Sequence, residues 1–333
     1  MKKFLSLVLA LVMTMSLVTV SAGAKDFTDD SSITYKEAVD VMSAAKVIDG
    51  YAEGDFRPSA TLTRGAAAKI ICNLILGPTT ASALVADAAP YSDVPTTHTF
   101  AGYIAYCQKE GIISGYADGT FRPANTLTGY AFMKMLLGAL GYDAEVEQYT
   151  GANWSINVAK RALNIGLDDD LVGDFNGVKA VTREEACLYA LNTMTADMVE
   201  YDAKTTVSTN GTTVVIAGSK AKEMVNNGNT DGKVFDKDGV MQFAEKYFDN
   251  LTVKTGSDDF ARPANVWKLK AEEIGTYTNT PDATYTKKVE NGDIYKDLGL
   301  GSKIEAKDVS VYEDGVKKTN TVAIEKGDDT KVG

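Results

Sequence analysis

Apolar positions recur at helical spacing through the first 200 residues of the chain. Phe100, Ile104 and Cys107 fall on one face ahead of Gly111, which predicts a helix stopped at that glycine. Phe132, Met135, Leu136, Ala139 and Leu140 make a second apolar stripe, with Thr128 placed as its N-cap. Thr182 followed by Glu185 has the spacing of a capping box at the start of a further helix. Past Tyr201 the period shortens. Thr205 to Ile216, Asn250 to Lys254, Ser310-Val311-Tyr312 and Asn320 to Ile324 read as strands, and Asn210-Gly211 and Asp314-Gly315 as hairpin turns. Met241 to Phe248 predicts one short helix. Asp258 to Pro263 reads as a turn before a strand.

The helical part is a repeat. Asp49-Gly50-Tyr51-Ala52-Glu53-Gly54-Asp55-Phe56-Arg57-Pro58 returns 65 residues later as Ser114-Gly115-Tyr116-Ala117-Asp118-Gly119-Thr120-Phe121-Arg122-Pro123. Thr61-Leu62-Thr63 returns as Thr126-Leu127-Thr128 at the same offset, and Phe27-Thr28-Asp29 pairs with Tyr91-Ser92-Asp93 one residue out of step. A worn third copy carries Ile165-Gly166-Leu167, a shrunken loop from Gly173 to Gly177, and Ala180-Val181-Thr182-Arg183-Glu184-Glu185. Each copy reads as helix, loop, helix. One two-helix unit cannot bury its apolar stripe alone, so the three are expected to pack into one body. The divisions expected are residues 25–80, 88–143 and 147–198 for the repeats. A β-rich (α+β) C-terminal module follows at 202–333, the start of a longer body.

The N-terminus carries a different pattern. Lys2 and Lys3 precede an apolar run from Phe4 to Val20, and Ala22-Gly23-Ala24 has the form of a cleavage site, so residues 1–24 read as a secretory signal. Formal net charge is -11, from 45 acidic and 34 basic residues, which opposes nucleic acid or an anionic membrane as partner. Cys72, Cys107 and Cys187 lie in apolar helical contexts without a C-x-x-C pair and read as small buried side chains. With His98 the single histidine, no His-rich metal site is expected, and no cofactor is implied. Asp168-Asp169-Asp170 lacks an EF-hand pattern and reads as an acidic surface loop.

The run Gly111-Ile112-Ile113-Ser114-Gly115-Tyr116-Ala117-Asp118-Gly119-Thr120-Phe121-Arg122-Pro123, with Tyr91-Ser92-Asp93-Val94 and His98 before it, resembles the S-layer homology family over about residues 26 to 198. That resemblance implies an N-terminal all-α pseudo-threefold bundle of helix-loop-helix repeats with ligand grooves between neighbours. It further implies non-covalent binding of secondary cell-wall polysaccharide, often through a pyruvylated terminal sugar, and a place in the cell wall or surface layer.

The carbohydrate-binding residues that the resemblance nominates are Arg64, Arg183, Trp154, Gly50 and Gly115. Arginine can grip a ketal carboxylate with its planar fork, an aromatic face can cover a sugar ring, and glycine lets a ligand approach the backbone. Arg64 and Arg183 read equally as solvated first-turn residues, and Trp154 as a core residue at a helix start. The family's arginine is missing from the second repeat, where Gly129 stands, and its tryptophan from the second, where Thr99 stands. Arg57 and Arg122 are expected to brace their loops through backbone hydrogen bonds, and Asp29 and Asp93 to tie the start of each unit. The leading expectation is a non-catalytic wall-anchored surface protein, with self-assembly assigned to residues 202–333. The alternatives are an extracellular enzyme anchored by the same repeats, and a repeat scaffold that has lost sugar binding and mediates protein contacts.

Overall fold

The computed structural model describes residues 26–202, 205–209, 212–216, 220–226, 239–258, 262–279, 283–285, 311–313, 316–318 and 330–332. Among these, the fold is mixed α/β with the helices mostly N-terminal. Six helices come first: α1 (Lys36–Ala44), α2 (Arg64–Ser82), α3 (Ala101–Lys109), α4 (Gly129–Ala139), α5 (Trp154–Asn164) and α6 (Arg183–Thr195). The caps predicted at Thr128 and Thr182 are in place, and Thr63 supplies a third. Thr63, Thr128 and Thr182 accept from the backbone N–H of Ala66, Ala131 and Glu185, and Glu185 returns the bond to complete the box at Thr182. Gly77, at φ 73°, and Pro78 break α2 into two helical pieces.

Within the first two helix pairs the loop is tied by one aspartate. Asp29 accepts from Phe56 N–H at 2.8 Å and Arg57 N–H at 2.7 Å, and Asp93 accepts from Phe121 N–H and Arg122 N–H at 2.7 Å each. Arg57 and Arg122 themselves sit at φ 56° and 60°, a left-handed conformation that costs a non-glycine residue and that the paired N–H bonds hold in place. Burial opposes ionisation of Asp29 and Asp93, but the backbone N–H donors outweigh it and hold both carboxyls below their usual range.

The helix pairs join through their second helices. α2 packs on α3, α4 on α5 and α6 on α1. Where they meet, three backbone bonds form a closed ring: Leu62 N–H donates to Val181 O (2.8 Å), Val181 N–H to Leu127 O (2.9 Å) and Leu127 N–H to Leu62 O (2.9 Å). Outside the ring, each helix start is held by the loop of another pair. Arg64 N–H and Gly65 N–H donate to Asn125 O and Pro123 O, Gly129 and Tyr130 to Lys179 O and Gly177 O, and Arg183 and Glu184 to Ala60 O and Pro58 O. These are N–H groups that a helix cannot satisfy internally. Gly65 also admits a neighbour, since a Cβ there would stand 2.4 Å from the Phe100 ring.

The core runs through all of this without a seam. Phe56, Ile71, Leu74, Ile104, Phe121, Leu127, Phe132 and Met133 are fully buried, and so are Cys72, Cys107 and Cys187. The three cysteines are free thiols, with the Cys72 and Cys107 sulfurs 3.6 Å apart.

Beyond α6 the chain stays bonded to the helices. In β1 (Val199–Glu200), Val199 N–H donates to Leu140 O. The short α7 (Phe243–Tyr247) falls inside the stretch predicted helical and packs on α6 and α2. The pair β2 (Thr205–Thr209) and β3 (Thr212–Ile216) is antiparallel as the sequence suggested, and β4 (Lys222–Glu223) pairs with β1. β5 (Leu251–Ser257), β6 (Pro263–Leu269) and β7 (Glu272–Thr278) make an antiparallel meander, bulged at Trp267/Lys268. Ahead of Pro263 the Arg262 N–H and guanidinium bond Asp258, and residues 259–261 of the predicted turn lie outside the described residues. A four-stranded sheet is ordered β10-β9-β11-β8, from β8 (Ala283–Tyr285), β9 (Val311–Glu313), β10 (Val316–Lys318) and β11 (Thr330–Val332). The stretch 1–24, Asn210-Gly211, Asp314-Gly315 and the strand expected at Asn320 to Ile324 lie outside the described residues.

Removing the Asp93 carboxylate leaves two loop N–H groups without their acceptor, so Asp93→Ala should lower unfolding free energy by about 1–3 kcal/mol, measured by urea denaturation. Asp118 adds an acid-sensitive contribution. The Thr120 hydroxyl and N–H, then Arg122, hold its carboxyl down at about 2, below the ordinary value of 3.8. A depressed acid stabilises fully above its unfolded value and loses that contribution as pH falls through its folded one. Thermal melts should therefore fall less steeply between pH 3.8 and about 2 in Asp118→Asn protein than in the parent.

Candidate functional site

Arg64 and Arg183 open their helices, and each is carried by the backbone bonds above against the loop of another helix pair. Arg64 Nε donates to Phe121 O at 2.8 Å and its Nη2 to Ser114 O at 3.2 Å. Its Cζ lies 4.3 Å from the Phe121 ring centre and 5.0 Å from that of Tyr116. Arg183 repeats this on the first loop, with Nε to Phe56 O (2.9 Å), Nη2 to Asp49 O (2.7 Å), and Cζ 4.7 Å from both the Tyr51 and Phe56 rings. Neither is a free first-turn side chain. Two bonds to carbonyls and a face on aromatic rings leave further N–H groups on each fork for a ligand.

The expected bracing by Arg57 and Arg122 comes from their backbone N–H groups. Their guanidinium groups bond side chains, not backbone: Arg57 bonds Asp55 (2.6 Å) and Glu53 (3.4 Å), and Arg122 bonds Asp118 (2.8 Å) and Thr120 (3.2 Å). The reason is the left-handed φ of each, which turns the side chain back along its own loop toward the i−2 and i−4 side chains, two carboxylates for Arg57 and a hydroxyl and a carboxylate for Arg122.

Trp154 opens α5, in the third helix pair, and the structure places it in the same groove as Arg64. This groove, of about 400 Å³, is lined by Arg64, the loop at Ile112 to Tyr116 and Phe121, Lys134 of α4, and Tyr149 to Gly151 with Trp154. It gathers residues from all three pairs. Lys134 Nζ stands 5.7 Å from the Trp154 ring centre, and Tyr130 meets the same indole edge-on at 6.4 Å. Burial depresses the Lys134 ammonium and the Arg64 guanidinium alike. Among the described residues, no aspartate or glutamate lines the groove. Chemically, it can hold an anionic group between two cations with a ring face laid on the indole.

Lys134 went unread in the sequence. Its signal is visible in retrospect: it is the single charge in the otherwise apolar run Gly129 to Ala139. Gly115 lines the groove, but a Cβ there would stand 2.3 Å from the Tyr91 ring, and one at Gly50 would stand 2.4 Å from Phe27. Both glycines admit an aromatic ring of their own unit. Arg183 and Gly50 belong to a separate surface, the first loop. Thr99 is exposed.

A model of the S-layer homology domain matches residues 26–68 and 90–129. Along its whole length the chain is 26% identical to a surface layer protein of Brevibacillus choshinensis, covering 32% of that protein. It is 24% identical over 60% of its length to a middle cell wall protein of Brevibacillus brevis, covering 19% of it. Over 26% of its length it is 38% identical to cell surface glycoprotein 1 of Acetivibrio thermocellus, covering 4% of it. The chain thus spans about a third or less of the length of these relatives. The similarities associate it with the cell surface and wall.

The two kinds of arginine should separate by mutation. Arg64→Lys removes the planar fork that reaches two carbonyls while facing Phe121 and Tyr116, and should cost about 1–3 kcal/mol of stability by urea denaturation. Arg122→Ala removes exposed side-chain bonds, and should stay within about 1 kcal/mol.

Proposed function

We propose that this chain is a non-catalytic cell-surface protein, anchored without a covalent bond to secondary cell-wall polysaccharide through three helix–loop–helix units in a pseudo-threefold bundle. The observation that carries the reading is the convergence of Arg64, Lys134 and Trp154 in one acid-free groove, in a protein whose net charge is -11. A neutral sugar would need no cation. A sugar bearing a carboxylate, such as a pyruvate ketal, suits both cations and the indole. Arg183 is the family arginine of a second groove that lacks the tryptophan, so it contributes less. Similarity to a surface layer protein along the whole chain favours a surface-layer subunit over an anchored enzyme. Its lattice contacts would then fall to residues after 202. Export through a signal at 1–24 rests on the charge and apolar pattern of those residues.

The test is retention of the purified full chain on cell-wall sacculi before and after acid extraction of wall polysaccharide. Binding should require the polysaccharide and weaken with added salt, because the groove reads charge. Trp154→Ala and Lys134→Ala should each lower retention about tenfold or more, the loss expected of a charged or stacked contact of roughly 1.4 kcal/mol or above. Arg183→Ala should lower it less. Equal retention on extracted sacculi, or no effect of Trp154→Ala and Lys134→Ala in folded protein, would overturn the proposal.

A further inference from the structure

The three helix pairs imply three grooves, and the third holds something other than a ligand. It lies between the loop of the third pair and the start of α1. Counting six residues from the N-caps Thr128 and Thr182, Leu188 occupies the place of Lys134. Gly129 occupies the place of Arg64, and Thr34 and Tyr35 stand before α1 where Trp154 opens α5. All three groups that mark the Arg64 groove are therefore replaced. Backbone N–H bonds from Thr34 to Glu184 (2.7 Å) and from Val172 to the Tyr35 hydroxyl (3.2 Å) draw its sides together.

The charge is reversed as well. The cleft there, about 800 Å³, is lined by Glu37, Asp169 and Asp170, and its one cation among the described residues, Lys36, is already bonded to Asp30 and Asp40. An anionic glycan would meet repulsion. What lies against it is the β5–β7 meander. Trp267 Nε1 donates to Glu37 Oε1 at 2.6 Å, Asn265 Nδ2 to the same oxygen at 3.0 Å, and the Tyr277 hydroxyl to Asp40 Oδ2 at 2.7 Å. Trp267 and Asp40 are each 1% exposed, while Glu37, Asn265 and Tyr277 are half-buried, so one partner in two of the three bonds is shut off from water. Two carboxylates of α1 thus serve as acceptors for three donors of the sheet.

We infer that the third inter-repeat groove has been given over from ligand to the chain's own β5–β7 sheet, which is its resident occupant and locks the second module to the anchoring repeats. The inference rests on the three-unit reading above. It follows that a load on the module is transmitted to the repeats through α1, and that wall binding is confined to the other grooves.

The chain has two tryptophans, so Trp154→Phe leaves Trp267 as the sole reporter. In that full-length protein, acrylamide should quench Trp267 at least fivefold more weakly than in the urea-unfolded chain. Glu37→Ala with Tyr277→Phe in the same background should raise quenching at least twofold without loss of helical circular dichroism. Quenching of folded Trp154→Phe protein within twofold of the unfolded value, or no response to the double change, would overturn the docking. Separately, with Trp154 intact, Asp169→Ala and Asp170→Ala together should leave sacculus retention within twofold. A tenfold loss would show that the third groove holds ligand and would overturn the inference too. Failure of the parent chain to bind sacculi, with Trp267 still shielded, would remove the proposed anchoring and leave the docking standing.

Discussion

The structure of the helical part depends on three backbone hydrogen bonds, the ring through Leu62, Val181 and Leu127. These residues are 2–3% exposed, so their N–H and C=O groups have no access to water and need partners. None can be satisfied inside its own helix pair. Each donates to one neighbour and accepts from the other, and the bridges Thr61 with Thr182, Thr63 with Thr126 and Thr128 with Ala180 flank the ring. A single pair would leave two buried polar groups open, at a cost comparable with a small domain's whole margin once its exposed apolar face is added. The three pairs fold as one body or not well at all.

The ring also dictates where recognition can occur. Because it seats each second helix with its first N–H groups on another pair's loop, the first side chain of that helix must reach the same loop. At Arg64 and Arg183 this produces a fork on two carbonyls and an aromatic face; at Gly129 it produces a contact with Phe175 and Gly177 of the third loop. The backbone bonds are equivalent in all three places, whatever the side chain. Grooves can accordingly lose their chemistry one residue at a time without loss of the fold, which is how one body comes to hold a cationic groove and an acidic one.

Much of this was legible in the sequence, for a physical reason: local devices leave local marks. The 65-residue offset, the threonine caps, the capping box at Thr182 and the burial of the cysteines each depend on neighbours within a turn or two, or on composition. The meeting of Arg64 with Trp154 does not. They come from the first and third pairs and share a groove only because the ring closes. Arg57 and Arg122 brace their loops through backbone N–H bonds as expected, but their side-chain acceptors were not legible, because a left-handed φ has no signature at an arginine. The docking of Trp267 on Glu37 spans 230 positions and uses a carboxylate that looks, in sequence, like any exposed charge at a helix start.

The choice of partner for each arginine explains how an acidic protein keeps a groove of positive charge. Arg57 and Arg122 are paired with carboxylates and contribute little net field. Arg64 and Arg183 are held by carbonyl oxygens, which fix the guanidinium in place and leave its formal charge uncancelled. Half-burial then strengthens what remains, because an effective dielectric nearer 20 than 80 makes a charge pair at 4 Å worth about four times its value in water. The penalty is the desolvation that depresses Arg64 and Lys134, and an arriving carboxylate offsets it directly. On the proposed reading, such a groove would bind an anion more tightly than an exposed basic patch with the same two charges, and without altering the net charge of -11.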